Sequence, residues 1–272
     1  MEYKIIASDL DGTLLGTDKQ VSRENWEAIA KIHEKGVHFV PASGRAFYEM
    51  PKELRESDLI RYYITSDGTM VYDKKTDTYW EFAMEKNLGH RVLDTVYKYT
   101  TTMMLHADTH SYVEPALHKE ETCLHYNIRD WWVDYIRATN VPVENFKKFA
   151  YGLDKIQMIC VFFRYPEELQ KCKKELASDP RLLVAQSDPN DLEIFSSAGG
   201  KGNALKLLAE KLGIAREATM ALGDSTNDAT MVAAAGLGVA MDNAMPELKR
   251  IADTVICDND HHAVQYVLNK YF

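Results

Sequence analysis

Short apolar runs at both ends of the chain each break, at their C-terminal edge, into glycine and polar residues. That grammar leaves few folds open. From Lys4 the run KIIAS ends in Asp9-Leu10-Asp11-Gly12, VHFVPA ends in Ser43-Gly44-Arg45, and YYIT ends in Ser66-Asp67-Gly68. Between the first two, Ser22 can cap a helix with Trp26, Ile29 and Ala30 on one face, and Gly36 is placed to stop it. Strand, turn, helix and strand at this spacing predict βαβ units and a parallel sheet. The pattern returns near residue 200. Gly199-Gly200-Lys201-Gly202 opens a helix striped with Leu205, Leu208, Ala209 and Leu212 and closed by Gly213, and ATMAL breaks at Gly223-Asp224. A helix through Met231, the strand GLGVAM, a helix from Pro246, the strand DTVI and a terminal helix follow. In open α/β sheets ligands bind beyond the C-terminal ends of the strands, where these polar breaks fall.

Residues 84–196 read differently. A helix carrying Leu88, Val92 and Val96 leads to the strands MMLHA and SYVEP and a polar helical stretch around Trp131 and Trp132. The strand KIQMICVFF, a helix from Pro166 to Ser178, and the strands LLVAQ and LEIFS complete the segment. Short hairpin-like joins predict an α+β module on an antiparallel sheet. The fold expected is therefore α/β: a Rossmann-like parallel-sheet core formed by residues 1–83 and 197–272, split by an inserted α+β domain, 84–196.

Composition excludes several function classes. Lys plus Arg is 32 and Asp plus Glu is 41, a formal charge of −9, with no long basic run. Such a chain is a poor partner for nucleic acid or an anionic membrane. No apolar stretch is long enough for a membrane span, and the one at the start is too short for a signal peptide. Cys123, Cys160, Cys172 and Cys257 form no CxxC pair and no disulfide framework. A cytoplasmic protein with reduced thiols is expected, a monomer or a homodimer.

Asp9 and Asp11 stand just beyond a buried strand, and Asp224, Asn227 and Asp228 stand beyond another. Asp-Gly by itself is an ordinary turn. A parallel sheet, however, brings both acidic clusters to one edge, where gathered carboxylates repel unless a cation joins them. A set of hard oxygens suits Mg²⁺. Ser43 and Lys201 offer a hydroxyl and an ammonium for phosphoryl oxygens, and Gly44, Gly200 and Gly202 let the backbone approach a ligand. Gly199-Gly200-Lys201-Gly202 lacks the spacing of a nucleotide phosphate loop, and Ser43 has no hydrolase-elbow context. His106, His110, His118 and His125 form no compact metal motif and read as surface residues, one or two of them facing the cleft, and Trp131 and Trp132 read as packing residues, with an interface position for one of them the alternative.

Asp9-Leu10-Asp11-Gly12-Thr13, Ser43, Lys201 and Gly223-Asp224-Ser225-Thr226-Asn227-Asp228 match, in order, the four motifs of the haloacid dehalogenase-like (HAD) superfamily. ASGR, KGNAL, GDSTNDATM and GLGVAMDNA are similar to its Cof-type sugar-phosphatase branch, and the insertion resembles a type-two cap. The resemblance implies a phosphatase acting on a small phosphorylated metabolite, with Asp9 as nucleophile and Asp11 as general acid and base. It implies Mg²⁺ held by the Asp9 carboxylate, the Asp11 main-chain oxygen and Asp224, with Asp228 close by, and no other cofactor. Ser43, Gly44, Lys201 and Asn227 would hold the phosphoryl group, with Thr13 and Arg45 in support. The chain departs from the branch at Asp67, where Asn is common, at Ser225, where Gly is frequent, and at Asp260-His261-His262. A phosphomutase and a decayed phosphometabolite sensor share these motifs and stay open as alternatives.

Overall fold

The computed structural model describes residues 2–272, excepting the side chains of Asp130 and Trp131, so the packing expectation for Trp131 lies outside the described residues. The chain divides into two units. The first comprises Met1–Arg45, Lys52–Trp80 and Gly199–Phe272, and the second Ala46–Pro51 and Glu81–Ala198. Among the described residues no helix is long and apolar enough to cross a membrane.

In the first unit a sheet of five parallel strands is buried on both faces except at its edge strand Thr254–Val255, which is why the other four read as apolar runs rather than alternations. From edge to edge the five are Thr254–Val255, Leu237–Ala240, Thr219–Gly223, Ile5–Ser8 and His38–Pro41. Ile5 lies opposite Thr219 on one side and His38 on the other, so the strands end level. The helices Lys201–Leu212 and Ala229–Ala234 cover one face through Ala204, Leu205, Leu208 and Met231, against Ile5, Ala7, Val40 and Ala221. The helix Arg23–Glu34 is capped by Ser22, whose hydroxyl accepts the Asn25 N–H. Its buried face is Asn25, Ala28, Ile29 and Ile32, and Trp26 and Ala30 are only half-buried. Asn25 is inside because its Oδ1 accepts the Val264 N–H at 3.0 Å, an otherwise unpaired donor at the start of the terminal helix Ala263–Tyr271.

The strand Tyr62–Thr65 departs from the parallel expectation. It meets the sheet by one parallel bridge, Ala42 to Ile64, and its ladder is antiparallel with Met70–Asp73. The cause is the turn Ser66–Gly68, which folds the chain straight back. Gly68 has φ +80°, and a Cβ there would lie 2.3 Å from the Gly200 carbonyl carbon. The turn thereby rests on the backbone just before Lys201.

The second unit has a six-stranded sheet that is antiparallel except where His110–Val113 meets Val141–Pro142. The expected strand KIQMICVFF is two: Lys155–Ile156 pairs with Met84–Glu85, and Met158–Phe163 pairs with Thr101–Ala107. Gln157 marks the break, its N–H donating to His106 O. The helices Lys86–Val96 and Pro166–Ala177 cover one face, and Trp132 packs edge-on against Phe162 on the other. His106 is buried, not at the surface as expected, because Glu49 offers a partner 3.3 Å away. Glu49 also accepts from the Ala46 N–H and Asn140 Nδ2.

The close backbone contact at Gly68 has a measurable consequence. Gly68→Ala is expected to lower unfolding stability by ~3 kcal/mol, combining a steric clash with an unfavourable positive φ. An unchanged urea midpoint would contradict the described contact.

Candidate active site

Lys201 begins its helix and is the centre of the site. Its Nζ lies 2.6 Å from Asp9 Oδ1 and 2.7 Å from Asp228 Oδ1, with no part of the side chain exposed. An ammonium buried without partners costs several kcal/mol, so this lysine is tolerable inside only between carboxylates. The sheet supplies them. Asp9 follows Ile5–Ser8, Asp224 follows Thr219–Gly223, and the parallel register brings both to one edge.

Each carboxylate is then fixed by its own loop. Asp228 Oδ2 accepts the N–H groups of Asp224 and Ser225, both at 3.0 Å, which folds the loop around the acid. Asp224 accepts from the Thr13 hydroxyl at 3.0 Å and the Ser225 hydroxyl at 2.9 Å. Ser225 thus has a contact that the glycine frequent at this position could not make. Gly12 has φ +85°, and a Cβ there would lie 2.6 Å from Asp224 Oδ2, so the two acidic loops meet only because residue 12 has no side chain.

Carboxylate oxygens of Asp9, Asp224 and Asp228 all lie within 4.8 Å of one another. Burial, then the Asp228 charge, pushes the Asp9 carboxyl well above the ordinary range against the pull of Lys201. Burial and Asp228 raise Asp224 likewise. Burial opposes the Lys201 charge, but Asp228 and Asp9 outweigh it and hold the ammonium protonated. One cation among three such carboxylates leaves an excess of negative charge on hard oxygens, and this donor set fits a divalent ion such as Mg²⁺. Among the described residues a second trio, Cys160, Asp191 and Glu193, lies in the other unit. There Asp191 is already committed to Ser187 and Asp188.

Asp11 is placed differently from the trio. Its carboxylate is gripped by Arg45, with Nε 3.0 Å from Oδ2 and Nη2 2.8 Å from the same oxygen, and by Lys19 Nζ at 3.2 Å from Oδ1. Burial works upward on this acid, but Arg45 and Lys19 prevail and hold it below its usual value. Lys19 was not singled out by sequence reasoning. It is an exposed lysine in a polar turn, and only its left-handed backbone (φ +63°) aims it at Asp11.

Ser43 is buried, and its Oγ accepts the Arg45 N–H at 3.2 Å. The Asp67 N–H donates to Ser43 O at 3.1 Å, and Asn227 Nδ2 donates to Asp67 Oδ1 at 3.1 Å. Asp67 therefore connects two of the loops. Ser66 and Asp67 are both left-handed, at φ +49° and +52°, a conformation that costs about 1–2 kcal/mol per residue. Ser66 N–H to Arg45 O and Thr69 N–H to Ser66 O help to hold it. The departure at 260–262 acts on the first loop: Asp260 accepts the Thr17 N–H, and His262 Nδ1 lies 2.9 Å from Ser22 Oγ.

The haloacid dehalogenase-like hydrolase profile matches residues 6–268, nearly the whole chain, and takes in every loop of this site. The chain belongs to the haloacid dehalogenase-like hydrolases. Phosphatase YwpJ of Bacillus subtilis strain 168 is 29% identical over 280 residues, covering 97% of this chain and 98% of the relative. The 5-amino-6-(5-phospho-D-ribitylamino)uracil phosphatase YwtE of the same organism is 28% identical over 280 residues, covering 98% and 97%. A solved haloacid dehalogenase-like hydrolase from B. subtilis superposes with a TM-score of 0.82 at 28% identity, covering 99% of this chain and all of that one. The similarity to the Cof-type phosphatase branch of this hydrolase superfamily holds along the chain.

The surplus charge in this HAD site can be tested without substrate. Asp9 and Asp224 bind protons more tightly in the folded chain than in the unfolded one, so their contribution to stability falls as pH rises through the raised values. Asp224→Asn is expected to raise the thermal midpoint in chelator by about 2–4 °C, the shift of roughly 1 kcal/mol in a chain of this size. The gain should be larger at pH 8 than at pH 5. A lower midpoint at pH 8 would show that the Asp224 carboxylate stabilises the metal-free fold.

Proposed function

We propose that this phosphatase is Mg²⁺-dependent, cytoplasmic, and hydrolyses small phosphomonoesters, sugar phosphates foremost, through an aspartyl phosphate on Asp9. The observation that carries the reading is the buried pairing of Lys201 with Asp9 Oδ1 and Asp228 Oδ1, beside Asp224. A buried carboxylate beside an ammonium supports the reading because the first can attack a phosphoryl group and the second can hold its oxygens.

In the proposed reaction Asp9 Oδ2 attacks phosphorus in line while the ester P–O bond breaks, and Asp11 gives a proton to the leaving oxygen. Water then attacks the same phosphorus, Asp11 takes its proton, and the bond to Asp9 breaks to release phosphate. The Ser43 hydroxyl, the Gly44 N–H, the Lys201 ammonium and the Asn227 amide are assigned to the phosphoryl oxygens. Mg²⁺ would be held by the carboxylates of Asp9 and Asp224 and the Asp11 main-chain oxygen, with Asp228 bracing the loop, and when bound it supplies charge neutralisation at the phosphoryl group. Asp11 can carry a proton only after leaving the double ion pair with Arg45 and Lys19. That exchange is the one rearrangement the reading requires within the first unit.

A small phosphorylated metabolite as substrate is supported by the relative named for a ribityl phosphate, and the net charge of −9 disfavours nucleic acid. On the family resemblance, the inserted segment 84–196 is assigned the choice among such substrates.

Asp9→Asn assayed with p-nitrophenyl phosphate is expected to lose about 10³-fold or more in kcat, an effect of the size seen when a covalent nucleophile is removed. Chelation of the wild type should abolish phosphate release and Mg²⁺ should restore it. Wild-type turnover in Asp9→Asn would overturn the reading. Isomerised sugar phosphate in place of free phosphate, from a hexose 1-phosphate with catalytic bisphosphate, would redirect it to a mutase.

A further inference from the structure

Asp67 stands against three of the residues assigned to hold phosphate: Ser43, Gly44 and Asn227. Its carboxylate oxygens lie 3.3 Å from where a Cβ on Gly44 would sit, so the acid covers the open face of that glycine. Its Oδ1 receives the Asn227 amide, and its N–H donates to Ser43 O. Its charge also acts on the Lys201 ammonium. The residue is 3% exposed and is the second of two successive left-handed residues. Backbone strain held in place by surrounding bonds is a reason to ask what the strained group does. A bracing role alone would be served as well by asparagine, which offers the same acceptor oxygen to Asn227 and tolerates the left-handed region better. What aspartate adds is a negative charge, set among the groups assigned to bind an anion.

We infer that Asp67 tunes the anion affinity of the site: its charge weakens the hold on phosphate oxygens and so limits retention of the dianionic product. The inference rests on the phosphatase reading above. Its logic is charge balance. Asp9, Asp224, Asp228 and Asp67 bring four negative charges against one on Lys201, so a single divalent ion leaves this cluster, counted apart from Asp11 and its partners Arg45 and Lys19, one charge negative before any anion arrives. Removing the Asp67 charge makes that balance neutral without removing a group that reaches the phosphoryl oxygens.

The test is calorimetric titration of inorganic phosphate, with Mg²⁺ in excess, into the full chain and its Asp67→Asn and Asp67→Glu variants. Asp67→Asn is expected to bind phosphate about tenfold more tightly, as the loss of one like charge several ångströms from a dianion implies. Asp67→Glu, which keeps the charge, should stay near the wild type. In turnover, KM and the inhibition constant for phosphate should both fall in Asp67→Asn with no rise in kcat, a split that a purely structural role would not produce. Phosphate affinity that is unchanged or weaker in Asp67→Asn overturns the inference. If the wild type hydrolyses phosphomonoesters and only this comparison fails, the inference falls alone. If the wild type hydrolyses none, the phosphatase reading falls, and the calorimetric comparison still decides the role of Asp67.

Discussion

A lysine side chain with no exposure, held at 2.6 and 2.7 Å between two carboxylates, is the interaction on which the site depends. Desolvating an ammonium is so costly that Lys201 constrains everything around it. Asp9 must follow Ile5–Ser8 and Asp228 must follow Thr219–Gly223 by a short loop, and those strands must be parallel neighbours in level register. The turn of Gly68 must also lie on the Gly200 backbone to seat the start of the helix. Parts distant in sequence, residues 9, 68, 201 and 228, are thereby committed to one place.

The carboxylates outnumber their cation, and that imbalance is the chemically useful part. A fully compensated cluster would be a stable buried ion pair with little reason to bind anything. Here burial and mutual repulsion push Asp9 and Asp224 upward while Asp11, a neighbour in sequence, is pulled downward by Arg45 and Lys19. Acids within one loop therefore differ in proton affinity because of what surrounds each, which is what separate roles in one reaction require.

Much of the architecture was legible because local chemistry and tertiary demand agree. The apolar runs KIIAS, VHFVPA, ATMAL and GLGVAM became buried parallel strands, Ser22 and Gly213 cap their helices, and the polar breaks at 9–12, 43–45 and 223–228 lie at one edge of the sheet. What was not legible was decided by contacts over long sequence separations. Nothing near Tyr62 announces that its ladder partner is Met70–Asp73 rather than the parallel sheet, and nothing near His106 announces Glu49. In the site, the acidic loops and Lys201 were readable from type and spacing. The grip of Lys19 on Asp11 and the bridge from Asp67 to Asn227 were not, because each depends on a left-handed residue that no pattern in the sequence marks.

The central claim is that the acidic loops after the first and third strands in sequence order of the parallel sheet converge on one divalent-ion site beside Lys201. Anomalous diffraction from crystals grown with Mn²⁺ tests it most directly. The account requires a single strong peak within bonding distance of carboxylate oxygens of both Asp9 and Asp224. A peak elsewhere in the unit, with those two carboxylates bare, would contradict it.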